Sequence, residues 1–123
     1  MKCRNFIESF SHALDGIVHT INNERNMKIH IVAAFLVICA GVVFKISAVE
    51  YALIFLAIGL VIVSEIVNTA VEIVVDMLAK GFDAKAKIAK DVAAGSSLMA
   101  SFIAILIGIS IFGWRLLEWI KLL

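Results

Sequence analysis

Glu65, Asn68, Glu72 and Asp76 put three carboxylates and an amide at helical spacing within twelve residues of this chain. At about 100° per residue on a helix they fall near 0°, 300°, 340° and 20°, so all four project within an arc of about 80°. The positions around them are mostly Ile, Val, Leu and Ala, and an ionisable group in hydrocarbon costs on the order of several kcal/mol unless it is paired or put to use. Such a row at a membrane surface suits the handling of a phosphate donor with its magnesium ions. Magnesium is a hard cation that takes one or two carboxylates together with phosphate oxygens and waters, and Glu24 and Glu72 could supply them. A buried carboxylate among like-charged neighbours is suited to take the proton of an attacking hydroxyl; Glu65, deepest along the stripe, is placed for a lipid alcohol. Lys90, in AKIAKDVAAG, could offset phosphate charge. Asp91 beside it could bind a nucleotide hydroxyl or orient Lys90. The chain has neither a GxxxxGK[ST] nor a GxGxxG loop, so these residues alone stop short of a kinase.

The elements that must position this set are helices. With 123 residues, 63% of them hydrophobic and 17% charged, the chain is a single domain too apolar for water. A first apolar run, Ile29 to Phe44, is bracketed by Lys28 and Lys45, whose stems can snorkel outward to lengthen a span of about 24 Å. A second begins near Ala48, is purely apolar from Ala52 to Val63, and carries the polar stripe to about Leu78. The third reaches from Val92 to Trp119, with Gly95, Ser96, Ser97, Ser101 and Gly108 offering small surfaces for helix packing. Upstream, Phe6, Phe10, Leu14, Ile17 and Ile21 recur at spacings of three and four, the pattern of an amphipathic helix lying in the membrane interface. The expectation is an all-α membrane protein: a surface helix over about 5–24 and spans over about 28–45, 48–79 and 90–119, in one domain over 1–123. The N-terminal segment lacks the central apolar region of a signal peptide, so no cleavage is expected.

Charge sets the orientation. Lys2, Arg4, Arg25 and Lys28 precede the first span and Lys80, Lys85, Lys87 and Lys90 follow the second; these are assigned to the cytoplasm, with Lys45, Arg115 and Lys121 on the far side. The protein is therefore expected to be multi-pass in the cell inner membrane, its polar site at the cytoplasmic face and Trp114 and Trp119 at the outer interface. A net charge of +1 without a basic, aromatic-rich face argues against nucleic acid. Cys3 and Cys39 fall at different depths, so no disulfide is expected. His12, His19 and His30 lack the spacing of a compact zinc site and are assigned to interfacial packing.

The run from Glu65 to Asp76, EIVNTAVEIVVD, resembles the ExxNxAxExxxD signature of the small prokaryotic diacylglycerol kinase family. Asn23 and Glu24 before the first span, and Ala89, Lys90 and Asp91 before the third, match further motifs, so the likeness covers nearly the whole chain. The resemblance implies a homotrimer with composite active sites, each subunit having a surface helix and three transmembrane helices. It implies Glu65 as catalytic base, Glu24 and Glu72 as ligands of Mg2+, and Asn68, Asp76, Lys90 and Asp91 along the ATP site. The chain departs from the family at His12, where a tyrosine is common, and in the loop Gly81 to Ala84; no contact is carried over there. The segment Glu24 to His30, with LAIGLVIVSE and AKIAKDVAAG, is similar to the Gram-positive branch, where undecaprenol kinases are common. Undecaprenol is thus favoured as the acceptor, and diacylglycerol is the alternative membrane lipid alcohol.

Other classes explain less. Interhelical polar glue is usually built from Ser, Thr, Asn or Gln at about 0.6 kcal/mol per bond, so three carboxylates exceed what it needs. A small proton-coupled transporter predicts ionisable groups near the midplane and repeated halves, whereas these acids run toward one face and no repeat is present. An assembly subunit accounts for neither Glu24 nor the Lys90, Asp91 pair.

Overall fold

The computed structural model describes residues 5–123. Lys2, Cys3 and Arg4 lie outside them, as do the expectations that rest on these residues. Four helices follow one another: α1 (Phe6–Asn23), α2 (Arg25–Phe44), α3 (Ala48–Leu78) and α4 (Ala84–Lys121). The last three are each long and apolar enough to cross a membrane.

Each helix starts and stops for a local reason. Asn5 caps α1 by accepting from the Glu8 amide at 2.9 Å. Phe6, Phe10, Leu14 and Ile17 are all exposed on that helix, as an interfacial apolar stripe requires. α1 passes into α2 through Glu24 alone, whose backbone is extended and whose amide donates to the Thr20 carbonyl. Thr20 and Met27, on either side of this joint, are buried. α2 ends with Lys45 in the left-handed region, φ 53°. The Ile46 amide there reaches the Gly41 carbonyl at 3.1 Å and the Lys45 amide reaches Val42 at 3.3 Å, the paired bonds of a Schellman ending. Gly41 lets Ile46 and Tyr51 pack close to the helix here: a Cβ would stand 2.9 Å from Ile46 Cδ1 and 3.1 Å from Tyr51 Cε1, so those side chains would have to shift.

Ser47 opens α3 with a reciprocal capping box: its hydroxyl accepts from the Glu50 amide at 3.2 Å and its amide donates to Glu50 Oε1 at 3.0 Å. No Pro or kink interrupts α3, so apolar and polar halves form one rod of about 46 Å. That exceeds the roughly 30 Å of hydrocarbon, which lets the end carrying Glu72 and Asp76 leave the lipid. α4 begins at Ala84, earlier than the expected start near 90, because Asp83 caps it by accepting from the Ala86 amide at 3.0 Å.

α3 and α4 pack most extensively on each other, α2 lies against both, and α1 touches α2 and α3. The buried residues of α4, Ala93, Ala100 and Ile111, mark its face toward α3; Ser97, Ser101 and Gly108 are half-buried, whereas Gly95 and Ser96 are exposed. The apolar core of Ile46, Ile54 and Ile111, backed by Phe44 and Phe112, sits near the α2–α3 turn. At that end the Arg115 guanidinium donates to both oxygens of Glu50, at 2.6 and 2.7 Å.

Candidate active site

The polar stripe of α3 turns inward at its upper half and emerges at its lower end. Glu65 is 1% exposed and Asn68 6%; Glu72 is half-buried and Asp76 exposed. Thr69 is buried and donates its hydroxyl to the Glu65 carbonyl at 2.9 Å, so it serves the helix. The Asn68 amide nitrogen reaches Glu72 Oε1 at 3.4 Å, one turn along. Three buried side-chain atoms among the described residues have no hydrogen-bond partner: Glu65 Oε2, Asn68 Oδ1 and Ser97 Oγ. Such orphans cost about 1–3 kcal/mol each, and each calls for an explanation in structure or function.

Asp76 is bonded to the Lys90 ammonium across the α3–α4 boundary. This tie brings the last acid of the stripe to the lysine expected to offset phosphate charge. Asp91 does not orient Lys90; it takes Lys87, one turn earlier on α4, at 2.6 Å. Glu24 stands at the α1–α2 joint, half-buried, and its side chain makes no capping bond. Asn23 beside it donates to the His19 carbonyl at 2.8 Å.

Two further features were not singled out from the sequence. His30, assigned there to packing, points its Nε2 at Glu65 Oε2 across 3.8 Å; its signal was being the one imidazole in the apolar run of α2. The second is an apolar groove of about 350 Å³ between α2, α3 and α4. Ala33, Ala34 and Val37 line it from α2, Ile54, Ala57, Ile58, Val61 and Ile62 from α3, and Ala104, Ile105, Ile107 and Gly108 from α4. The α3 row is the face that carries Glu65 one turn later, and His30 belongs to the groove wall. Glu65 itself is not part of the wall; it lies beyond Val61 and Ile62, facing the wall residue His30, about 16 Å along the helix from Ile54.

For a magnesium ion the donors fit in kind. Glu72 and Glu24 are hard oxygen ligands, and magnesium takes one or two such groups with phosphates and waters. Among the described residues no three His, Cys, Asp or Glu converge to hold a metal by themselves.

Comparison with known proteins gives the family. Residues 11–112 match the prokaryotic diacylglycerol kinase family. An undecaprenol kinase of Bacillus subtilis is 40% identical over 107 residues, 87% of each chain. A diacylglycerol kinase of Synechocystis sp. is 36% identical over 105 residues, 85% of this chain and 60% of the cyanobacterial one. Three apolar helices and a family match across most of the sequence agree: the chain belongs to the prokaryotic diacylglycerol kinase family of multi-pass membrane lipid kinases.

Proposed function

We propose that the protein transfers the γ-phosphate of ATP to the hydroxyl of undecaprenol, making undecaprenyl phosphate, at the cytoplasmic face of the cell membrane. The observation that carries this reading is the orphaned Glu65 Oε2 facing His30, a wall residue of the apolar groove. A polyisoprenoid chain lies in the groove and its terminal alcohol meets the carboxylate, which takes the proton as the oxygen attacks phosphorus. The preference for undecaprenol over diacylglycerol rests on the Bacillus relative, similar over the larger share of both chains. Family membership also weighs against the transporter alternative.

Lys90, held by Asp76, binds the phosphates, and Asn68 and Asp91 complete the nucleotide site. Mg2+, held by Glu24 and Glu72, would draw charge from the transferring phosphoryl group. The protein works as a homotrimer with composite sites, which suits the separation of its acids along α3 and at the α1–α2 joint.

The deciding measurement is transfer of labelled phosphate from ATP to undecaprenol and to diacylglycerol, side by side in detergent micelles. Faster labelling of undecaprenol is expected. Faster labelling of diacylglycerol would reverse the acceptor, and labelling of neither would remove the activity.

A further inference from the structure

The mouth of the groove is more selective than its walls. Of the side chains that line it, His30 and Ser101 alone carry polar atoms. His30 approaches Glu65 from α2. The ion pairs Glu50–Arg115 and Asp76–Lys90 set the antiparallel register of α3 and α4, and in that register Ser101 lies level with Glu65. One helix each thus contributes a polar group to the same level, above which the walls are hydrocarbon.

The spacing within this level is informative. His30 Nε2 and Glu65 Oε2 are 3.8 Å apart, beyond hydrogen-bond reach, and Glu65 Oε2 has no other partner. Glu65 Oε2 is thus left unsatisfied, facing a partly exposed imidazole across the gap. An oxygen entering between them can satisfy both, donating to one and accepting from the other.

We propose that His30 is a substrate-contacting residue that grips the acceptor hydroxyl together with Glu65, and thereby makes the site selective for an alcohol at the end of a hydrocarbon chain. The assignment rests on the reading of Glu65 as the base and of the groove as the acceptor's seat. With its proton on Nε2, His30 donates to one lone pair of the hydroxyl oxygen while the hydroxyl proton points at Glu65 Oε2. The other lone pair is left directed at the donor. In the transfer, that oxygen forms its bond to the γ-phosphorus and the bond from phosphorus to the β–γ bridging oxygen breaks, its electron pair leaving on ADP. The hydroxyl proton ends on Glu65. His30 gives up no proton; it fixes the direction of attack, which is the part of the barrier that orientation controls. A hydrocarbon of equal length without a terminal hydroxyl leaves the pair unsatisfied, which is how a polar site rejects an analogue that lacks the group.

The test compares His30→Ala, His30→Gln and Glu65→Gln with the parent enzyme, using undecaprenol and ATP in micelles and titrating each substrate separately. His30→Ala is expected to raise the KM for undecaprenol about three- to ten-fold, the value of one neutral hydrogen bond, and to lower kcat as the attack loses its direction, with the KM for ATP unchanged. His30→Gln, which keeps a side-chain N–H, is expected to recover most of the loss. Equal changes in both KM values, or no recovery in the Gln variant, would assign His30 to packing and overturn the inference. Wild-type kinetics in both His30 variants beside an inactive Glu65→Gln would overturn it while leaving the base in place. An active Glu65→Gln would sink the reading of the base, and this inference with it.

Discussion

At the scale of single residues, two carboxylates of one helix stand in different surroundings, and this separates their proposed tasks. Glu65 is enclosed, with an oxygen that nothing in the described chain satisfies; Glu72 is half-buried and shares a weak contact with Asn68. Glu65→Gln keeps size and hydrogen-bonding capacity but cannot accept the proton. Turnover is expected to drop by about 100-fold or more, with helix content and thermal midpoint in micelles unchanged; substantial activity in purified variant would remove the mechanism. Glu72→Gln withdraws a charged ligand instead. The magnesium concentration for half activity is then expected to rise, and an unmoved titration curve would count against Glu72 as a ligand. Lys90 and Asp91 illustrate how neighbours in sequence diverge on a helix. They point about 100° apart, so Lys90 meets Asp76 of α3 while Asp91 meets Lys87 on its own helix.

At the scale of elements, the site is held by helix ends as much as by helix faces. Ser47 and Glu50 close the first turn of α3 on each other, and the same Glu50 carboxylate receives Arg115 of α4. Ser47→Ala is expected to destabilise the protein by about 1 kcal/mol, read as a lower thermal midpoint in detergent. Phosphate transfer per folded molecule should not change, because the cap is at the far end of α3 from Glu72. An unaltered midpoint would show that the box adds nothing to the tertiary fold. The Glu24 joint is the counterpart at the active end: one extended residue reverses neither chain nor charge pattern, but it sets a surface helix against a span and leaves a carboxylate at their corner.

At the scale of the whole molecule, two ion pairs tie α3 to α4 near opposite ends, and the apolar groove runs between them. The Glu50–Arg115 pair is bidentate, with side chains 22% and 15% exposed, whereas Lys87–Asp91 lies on the open surface of one helix. Arg115→Ala is therefore expected to lower the thermal midpoint clearly and Lys87→Ala hardly at all, since exposed pairs within one helix contribute little. Equal shifts in the two variants would refute the distinction. Wide apolar faces stay exposed on the single chain, Phe35 and Leu36 on α2 and Phe102 and Leu106 on α4 among them, as a membrane-embedded chain requires.

The helices and the polar stripe were legible in the amino-acid order, because both depend on neighbours along one chain: a repeat near 3.6 and apolar runs long enough to cross a bilayer. Which face meets which was not. His30 opposite Glu65, Asp76 on Lys90, Glu50 on Arg115 and the groove between α2, α3 and α4 all depend on the register between helices. That register is decided by the summed packing of small and branched side chains over whole faces, a quantity that no local spacing carries.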